Sequence, residues 1–203
     1  MKEKIVILGA GESGIGAALL AKQKGFEVFV SDGGKIKPDF KNELDAHSID
    51  FEEGQHSGNK IWDASLIVKS PGIPEKNEMI KEIRKRGMEV ISEIEFGYRF
   101  KGESKIIGIT GSNGKTTTTA LMYHICKTAG LDCAMVGNIG FSFARQVATD
   151  PKKIYVVEIS SFQLDDIKSF RPDVAILTNI TEDHLDRYEY KFENYIKSKF
   201  RII

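Results

Sequence analysis

One three-part unit occurs twice in this chain: an apolar, β-branched run, a glycine-rich turn, then the opening of a helix. Its first copy is KIVILGAGESGIG, residues 4–16, and its second is KIIGITGSNGKTTTT, residues 105–119. A buried strand that empties through glycines into a helix is the βα step of a parallel sheet, since glycine allows a turn too tight for side-chain-bearing residues. Two copies within 203 residues predict two α/β units in series.

The rest of the chain keeps the same alternation. Strand-like runs are KIVILG (4–9), EVFVSD (27–32), ASLIVKS (64–70), EVIS (89–92), KIIGITG (105–111), CAMVG (133–137), IYVVEIS (154–160) and VAILTNI (174–180), with helix-like segments between them. Parallel sheets covered by helices on both faces follow from that pattern. The polar stretch FKGESK, Phe100 to Lys105, is the expected seam, dividing the chain into residues 1–101 and 102–203.

Charge narrows the class of partner. Lys plus Arg and Asp plus Glu are 29 each, a balance that points to a small-molecule enzyme or binder, with no nucleic acid and no membrane surface as partner. No run of about 18 apolar residues occurs, and MKEKIVILGAG enters a strand without a cleavage pattern. A cytoplasmic monomer is therefore expected. Cys126 and Cys133 lack the spacing of a zinc site and read as reduced packing thiols.

In the first unit Gly9, Gly11 and Gly14 form G-x-G-x-x-G between strand and helix, and Asp32 ends the second strand-like run. This is the dinucleotide fingerprint: the glycines permit close phosphate approach, and the acid lies near a ribose. Glu12 and Ser13 carry no cofactor information, so a nicotinamide, a flavin, another nucleotide and a structural turn all remain open.

The second unit ends in Gly114, Lys115 and Thr116, the G-K-T of a phosphate loop, but Ile109 stands where the common form has its first glycine. The backbone N–H groups of Gly111, Ser112, Asn113 and Gly114, with the start of the helix at Lys115, Thr116 and Thr117, converge on an anion. Lys115 reaches the outer phosphates, and the Thr116 hydroxyl is suited to magnesium. Leu121, Met122, Ile125 and Cys126 are expected on one buried face of that helix, which ends at Gly130. Glu158, after the apolar IYVV, is the candidate carboxylate ligand opposite Thr116. His184 lies between Asp183 and Asp186, either of which could orient its ring; His47, His56 and His124 read as surface or packing residues.

GITGSNGKTTTT, with GNIG (137–140), EISSFQL (158–164) and NITEDHLDRY (179–188), resembles the Mur ligase family of peptidoglycan synthesis. In that family the loop takes the form G-x-x-G-x-x-G-K-[ST]-[ST], which accounts for the interval of Gly108, Gly111 and Gly114. EISSFQL beside the N-terminal G-x-G-x-x-G is most similar to the branch that adds D-glutamate, and the resemblance spans the chain. It implies a Rossmann-like parallel-sheet N-terminal domain followed by a P-loop ATPase-like parallel α/β central domain, here truncated.

The activity so implied is an ATP-dependent amide ligase. The carboxylate of UDP-N-acetylmuramoyl-L-alanine takes the γ-phosphoryl group of ATP, and the D-glutamate amine displaces phosphate from the acyl phosphate. The resemblance places Ser13, Asp32 and Gly33, with Glu12, near the uridine or diphosphate. It continues the path through Ser70, Gly72 and Asn138 to Ser160 and Gln163 near the sugar and peptide. No NAD or flavin is implied. Two Mg2+ ions are, one held by Thr116 and Glu158 and the other by His184 and a carbamylated Lys199, from the match of YIKSKFRI (195–202) to a family segment. Without the resemblance, Lys199 reads as a solvated helix lysine.

Glu12 departs from what a diphosphate site wants, because an acid beside that anion is unfavourable unless it is turned aside. The chain also stops at Ile203, where the family continues into the rest of the central domain and a third domain, so a fragment without activity of its own is expected. The competing readings are a sister Mur or folylpolyglutamate-type ligase, and a non-catalytic nucleotide-binding module.

Overall fold

The computed structural model describes residues 2–203. Its first sheet contains β1 (Lys4–Leu8), β2 (Glu27–Asp32), β3 (Asp50–Glu53), β4 (Leu66–Lys69) and β5 (Val90–Ser92), all parallel, in the order β3-β2-β1-β4-β5. Alternate residues of each strand feed opposite faces, as the period of a strand requires. Ile5, Ile7, Val28, Val30 and Val68 pack toward α1 (Glu12–Gln23) and α5 (Glu93–Phe100). Val6, Leu8, Phe29 and Ile67 pack toward α3 (Gly58–Ile61) and α4 (Glu78–Lys85).

β3 is the one strand that the pattern of apolar runs does not find. Its sequence is DFEE, with only Phe51 to mark it, and it is an edge strand whose order depends on pairing with Phe29–Asp32. α2 (Pro38–Ala46) leads into it.

The second sheet has the order β7-β8-β6-β9, again parallel, from β6 (Lys105–Thr110), β7 (Cys133–Gly137), β8 (Ile154–Glu158) and β9 (Val174–Leu177). α6 (Lys115–Thr128), α7 (Phe143–Thr149), α8 (Ser161–Asp165) and α9 (Phe192–Phe200) accompany it. Among the described residues no helix is long and apolar enough to cross a membrane.

The expected buried face of α6 is corrected by the structure. Leu121 and Ile125 are 57% and 52% exposed, whereas Thr119 and Cys126 are buried and Met122 is partly so. The helix is pinned at its N-terminus by the loop, and that sets its rotation; Thr119, whose hydroxyl bonds back to the Lys115 carbonyl at 2.8 Å, faces inward instead of Leu121. Cys126 and Cys133 are free and buried together in the small core beneath α6.

One continuous apolar core joins the two sheets through α1, α5 and α7. Phe143 of α7 meets Tyr155 edge to face at 4.9 Å, and Tyr98 of α5 meets Phe170 at 5.3 Å. Two glutamates of α5 enter this apolar junction. Glu95 accepts the N–H groups of Lys168, Ser169 and Phe170, and Glu93 accepts that of Ala144 at 2.5 Å.

The other oxygen of Glu93 is buried without a partner. Burial pushes this carboxyl up to about 7, against the lowering effect of the Ala144 N–H and the Ser142 hydroxyl. A carboxyl raised in the folded state keeps a proton that the unfolded chain releases, so its contribution falls as pH rises from the ordinary carboxylate range through about 7. Glu93→Gln is accordingly expected to leave stability unchanged at pH ~5 and to raise it by about 2–3 kcal/mol at pH ~8, read by urea denaturation at each pH.

Candidate functional site

The carboxyl ends of β6, β7, β8 and β9 converge on the loop Gly111–Gly114, where open α/β sheets place ligands. Gly111 has φ +146°, and a Cβ there would collide with Thr178 Oγ1, so this position admits glycine alone. Gly114, at φ +80°, is the N-cap of α6 and offers no side chain to close the helix end. The first-turn N–H groups of α6 are thereby left for an anion.

The loop is braced by the segment that follows β9. The N–H of Ser112 donates to the Asn179 carbonyl at 2.9 Å, and the Asn113 N–H donates to Asn179 Oδ1 at 3.0 Å. Thr178 Oγ1 and Asn179 Nδ2 both donate to the Asn113 carbonyl, at 2.7 and 2.9 Å. Ser112 Oγ is buried between the Thr181 carbonyl and Tyr195 Oη. These partners fix the direction of the loop amides, so Thr178, Asn179, Thr181 and Tyr195 belong to the site although sequence reasoning gave none of them a role. The polar TNIT immediately after an apolar strand was the available signal.

Lys115 Nζ lies folded over the loop, 2.9 Å from the Gly111 carbonyl and 2.8 Å from that of Ser112. At the end of β8 the buried Glu158 accepts the Thr116 hydroxyl at 2.8 Å on one oxygen and Asn138 Nδ2 at 2.9 Å on the other. A hydroxyl and one carboxylate are hard oxygen donors, the set magnesium takes together with phosphate oxygens. Among the described residues no three His, Cys, Asp or Glu side chains cluster, so no all-protein metal cage stands beside it.

Lys199 corrects the reading of a solvated helix lysine. It is 2% exposed, and its Nζ donates to the Gly111 carbonyl at 2.8 Å and to Thr110 Oγ1 at 3.2 Å. Burial, reinforced by the neighbouring cation of Lys115, lowers its pKa to about 8. Two lysines thus share one loop carbonyl. His184 is 54% exposed, packs against Phe162 at 5.1 Å and is met by Asp183 at 3.5 Å, while Asp186 makes no ion pair with it. Ser160 and Gln163 close on each other as the capping box of α8, Ser160 accepting the Gln163 N–H and Gln163 accepting the Ser160 N–H.

A cavity of about 350 Å³ opens at the carboxyl end of the first sheet, between the β1–α1 turn and the KSPGIP loop. Gly9, Gly11, Ser13, Asp32, Ser70 and Gly72 line it, which brings together Ser13, Asp32, Ser70 and Gly72 from the sequence reading. Gly33 packs instead against the His56 ring. Asp32 accepts the Ala10 N–H at 2.6 Å and the Gly34 N–H at 2.7 Å, and so holds the glycine turn open. Arg187, stacked over Phe162, donates to the Pro71 carbonyl at 3.2 Å and ties the HLDRY stretch to this cavity's rim.

Comparison with known proteins bears on both sites. The Mur ligase MurD-like N-terminal domain model matches residues 3–92, and the Mur ligase middle domain model matches residues 109–203. The chain is 60% identical over 203 residues to the UDP-N-acetylmuramoylalanine--D-glutamate ligase of Cytophaga hutchinsonii and 56% identical over 202 residues to that of Christiangramia forsetii. All of the chain is covered in each case, and 45% of the relative, so it spans a little under half the length of the curated relatives it matches. Among solved structures, the UDP-N-acetylmuramate:L-alanyl-gamma-D-glutamyl-meso-diaminopimelate ligase of Neisseria meningitides aligns over 100% of this chain and 69% of its own, with TM-score 0.63 and 25% identity. The UDP-N-acetylmuramate-alanine ligase of Thermotoga maritima aligns over 100% of this chain and 47% of its own, with TM-score 0.60 and 21% identity, and shares the fold.

Proposed function

The chain belongs to the Mur ligase family, and from that premise we propose that it forms the first two substrate-binding parts of an ATP-dependent ligase joining D-glutamate to UDP-N-acetylmuramoyl-L-alanine. Residues 1–101 hold the uridine-diphosphate end in the cavity between the glycine turn and KSPGIP; residues 102–203 carry the ATP loop. The enzyme works as a cytoplasmic monomer. The observation that carries the reading is the pairing of the Gly111–Gly114 loop with the Thr116–Glu158 hydrogen bond, in a chain 60% identical to a ligase of that name.

The chemistry needs an activated acyl group, because an amine meeting a carboxylate at neutral pH forms an ammonium salt. An oxygen of the L-alanyl carboxylate attacks the γ-phosphorus, the bond to the β-γ bridging oxygen breaks, and ADP leaves. The D-glutamate amine then attacks the acyl carbon, gives up a proton, and phosphate departs as the amide forms. Nothing in this sequence demands a protein nucleophile; positioning and charge stabilisation suffice.

The N–H groups of Gly111, Gly114, Lys115, Thr116 and Thr117 hold the phosphates, while those of Ser112 and Asn113, donated to Asn179, keep the loop in shape. Lys115 exchanges its two loop carbonyls for phosphate oxygens and follows the charge onto the transferring group. Thr116 and Glu158 would hold one Mg2+, and His184 with a carbamylated Lys199 a second; these ions supply charge neutralisation of the phosphates when bound. Asn138, fixed on Glu158, marks the way from the first cavity to the loop, and the Ser160–Gln163 box forms the wall that the sugar and peptide pass.

Titration calorimetry of the 203-residue chain with UDP-N-acetylmuramoyl-L-alanine and with NAD tests the proposal. Binding of the UDP-sugar at least about 100-fold tighter than NAD, a difference of about 2.8 kcal/mol, is expected. Tight NAD binding with no heat from the UDP-sugar would overturn it.

A further inference from the structure

The cavity proposed to receive the diphosphate contains no lysine, arginine or histidine among its lining residues. Its charged members are two acids, Asp32 and Glu12. An anion enters such a place only if both carboxylates are engaged elsewhere. Asp32 is engaged by the N–H groups of Ala10 and Gly34.

Glu12 is engaged from the other half of the chain. Arg145 of α7 donates through Nε to Glu12 Oε1 at 2.7 Å and through Nη2 to Oε2 at 3.1 Å, and the Ser142 N–H adds a third bond to Oε1 at 3.1 Å. The same guanidinium reaches Glu43 of α2, with Nη2 3.0 Å from Oε2 and a further bond through Nη1. Arg145 therefore commits four of its five N–H donors to two carboxylates, with its side chain 13% exposed, and it does not line the cavity. Gly16 makes the approach feasible, since a Cβ there would collide with Ser142 Oγ.

Glu12 is the first residue of α1, whose N-cap Gly11 supplies no side-chain cap. A free carboxylate at that position is drawn to the same first-turn N–H groups that a phosphate would use.

We propose that Arg145 is a positioning residue for the anion cavity of the opposite domain: by clamping the Glu12 carboxylate it keeps the glycine turn clear for a diphosphate. This rests on the reading of that cavity as the UDP site. It assigns the second domain a part in first-domain affinity without any contact to the ligand.

The test is calorimetry of the 203-residue chain with UDP-N-acetylmuramoyl-L-alanine, and with ATP as the control for the other loop, across Arg145→Met, Arg145→Met with Glu12→Gln, and Arg145→Met with Glu43→Gln. Arg145→Met is expected to weaken the UDP-sugar about tenfold and leave ATP within about twofold. Glu12→Gln on that background restores the UDP-sugar to within about twofold of the parent, whereas Glu43→Gln, which relieves the same stranded charge away from the cavity, does not. Equal rescue by both, or no loss in Arg145→Met, would overturn the proposal. If Arg145→Met fails to fold, Arg145→Lys decides: it should weaken the UDP-sugar at least about threefold and leave ATP within about twofold, and an unchanged UDP-sugar affinity refutes the proposal. A parent chain that binds ATP but no UDP-sugar would remove the substrate reading itself, and this proposal with it.

Discussion

Glu95→Ala is expected to cost about 3–5 kcal/mol of folding stability, enough to bring a domain of ordinary stability close to unfolding at room temperature. Glu95 is fully buried, and its carboxylate gathers five donors: the N–H groups of Lys168, Ser169 and Phe170, the Ser169 hydroxyl at 2.6 Å and Arg99 Nε at 3.1 Å. Alanine would leave all of them without the charge that organises them, at the joint between α5 and the segment before β9. Burial works to raise this carboxyl, but the Ser169 hydroxyl, the two N–H groups of Lys168 and Phe170, and Arg99 bring it below the ordinary carboxylate value. A depressed folded-state pKa gives stability that is present above the unfolded value and lost as pH falls through the folded one. Urea denaturation should therefore show the penalty in full at pH ~7 and a smaller one at pH ~3. A midpoint within about 1 kcal/mol of the parent at pH ~7 would show that the nest reorganises around water.

Glu95 also shows where sequence reading stops. The βα order, the eight apolar strands and the phosphate loop are written in local pattern, because a buried parallel strand and a glycine turn each have a composition of their own. EIEFGYRF has no such mark. Glu93 and Arg145 acquire their roles from the docking of α5 and α1 on α7, and Glu95 from the packing of α5 against residues 168–170, each a meeting of residues more than fifty positions apart. β3 escaped for a related reason: DFEE is ordered by its neighbour, not by its own residues. Leu121 and Ile125 misled because helical spacing gives a face but not which face is turned inward.

The site was legible in proportion to how far backbone geometry dictates side chains. Thr116 and Glu158 meet because one begins the helix after β6 and the other ends the adjacent β8, a relation fixed by strand order. The bracing of the loop by Thr178, Asn179 and Thr181 was not read, since nothing local says that a polar stretch after one strand will bond the turn after another.

Lys199→Ala, in the full-length ligase proposed above, is expected to lower turnover by about 10²–10³-fold while leaving the fold in place. The geometry gives the reason. Lys199 Nζ and Lys115 Nζ both donate to the Gly111 carbonyl, at 2.8 and 2.9 Å, so two cations compete for one acceptor beneath the phosphate loop. Carbamylation of Lys199, as proposed above, would replace one of those cations with an anionic oxygen suited to hold the second Mg2+ together with His184. Alanine cannot supply that oxygen, whereas a short carboxylate diffusing into the vacated space can. Added formate or acetate should then recover part of the lost turnover in Lys199→Ala and none in Lys115→Ala, whose missing group is a cation. Thermal unfolding at pH ~7 should show no loss from Lys199→Ala beyond about 2 kcal/mol, because removing a buried cation offsets part of the lost packing. Full turnover by Lys199→Ala would end the carbamate proposal. Equal rescue of both lysine variants by carboxylates would show a general ionic effect in place of a replaced ligand.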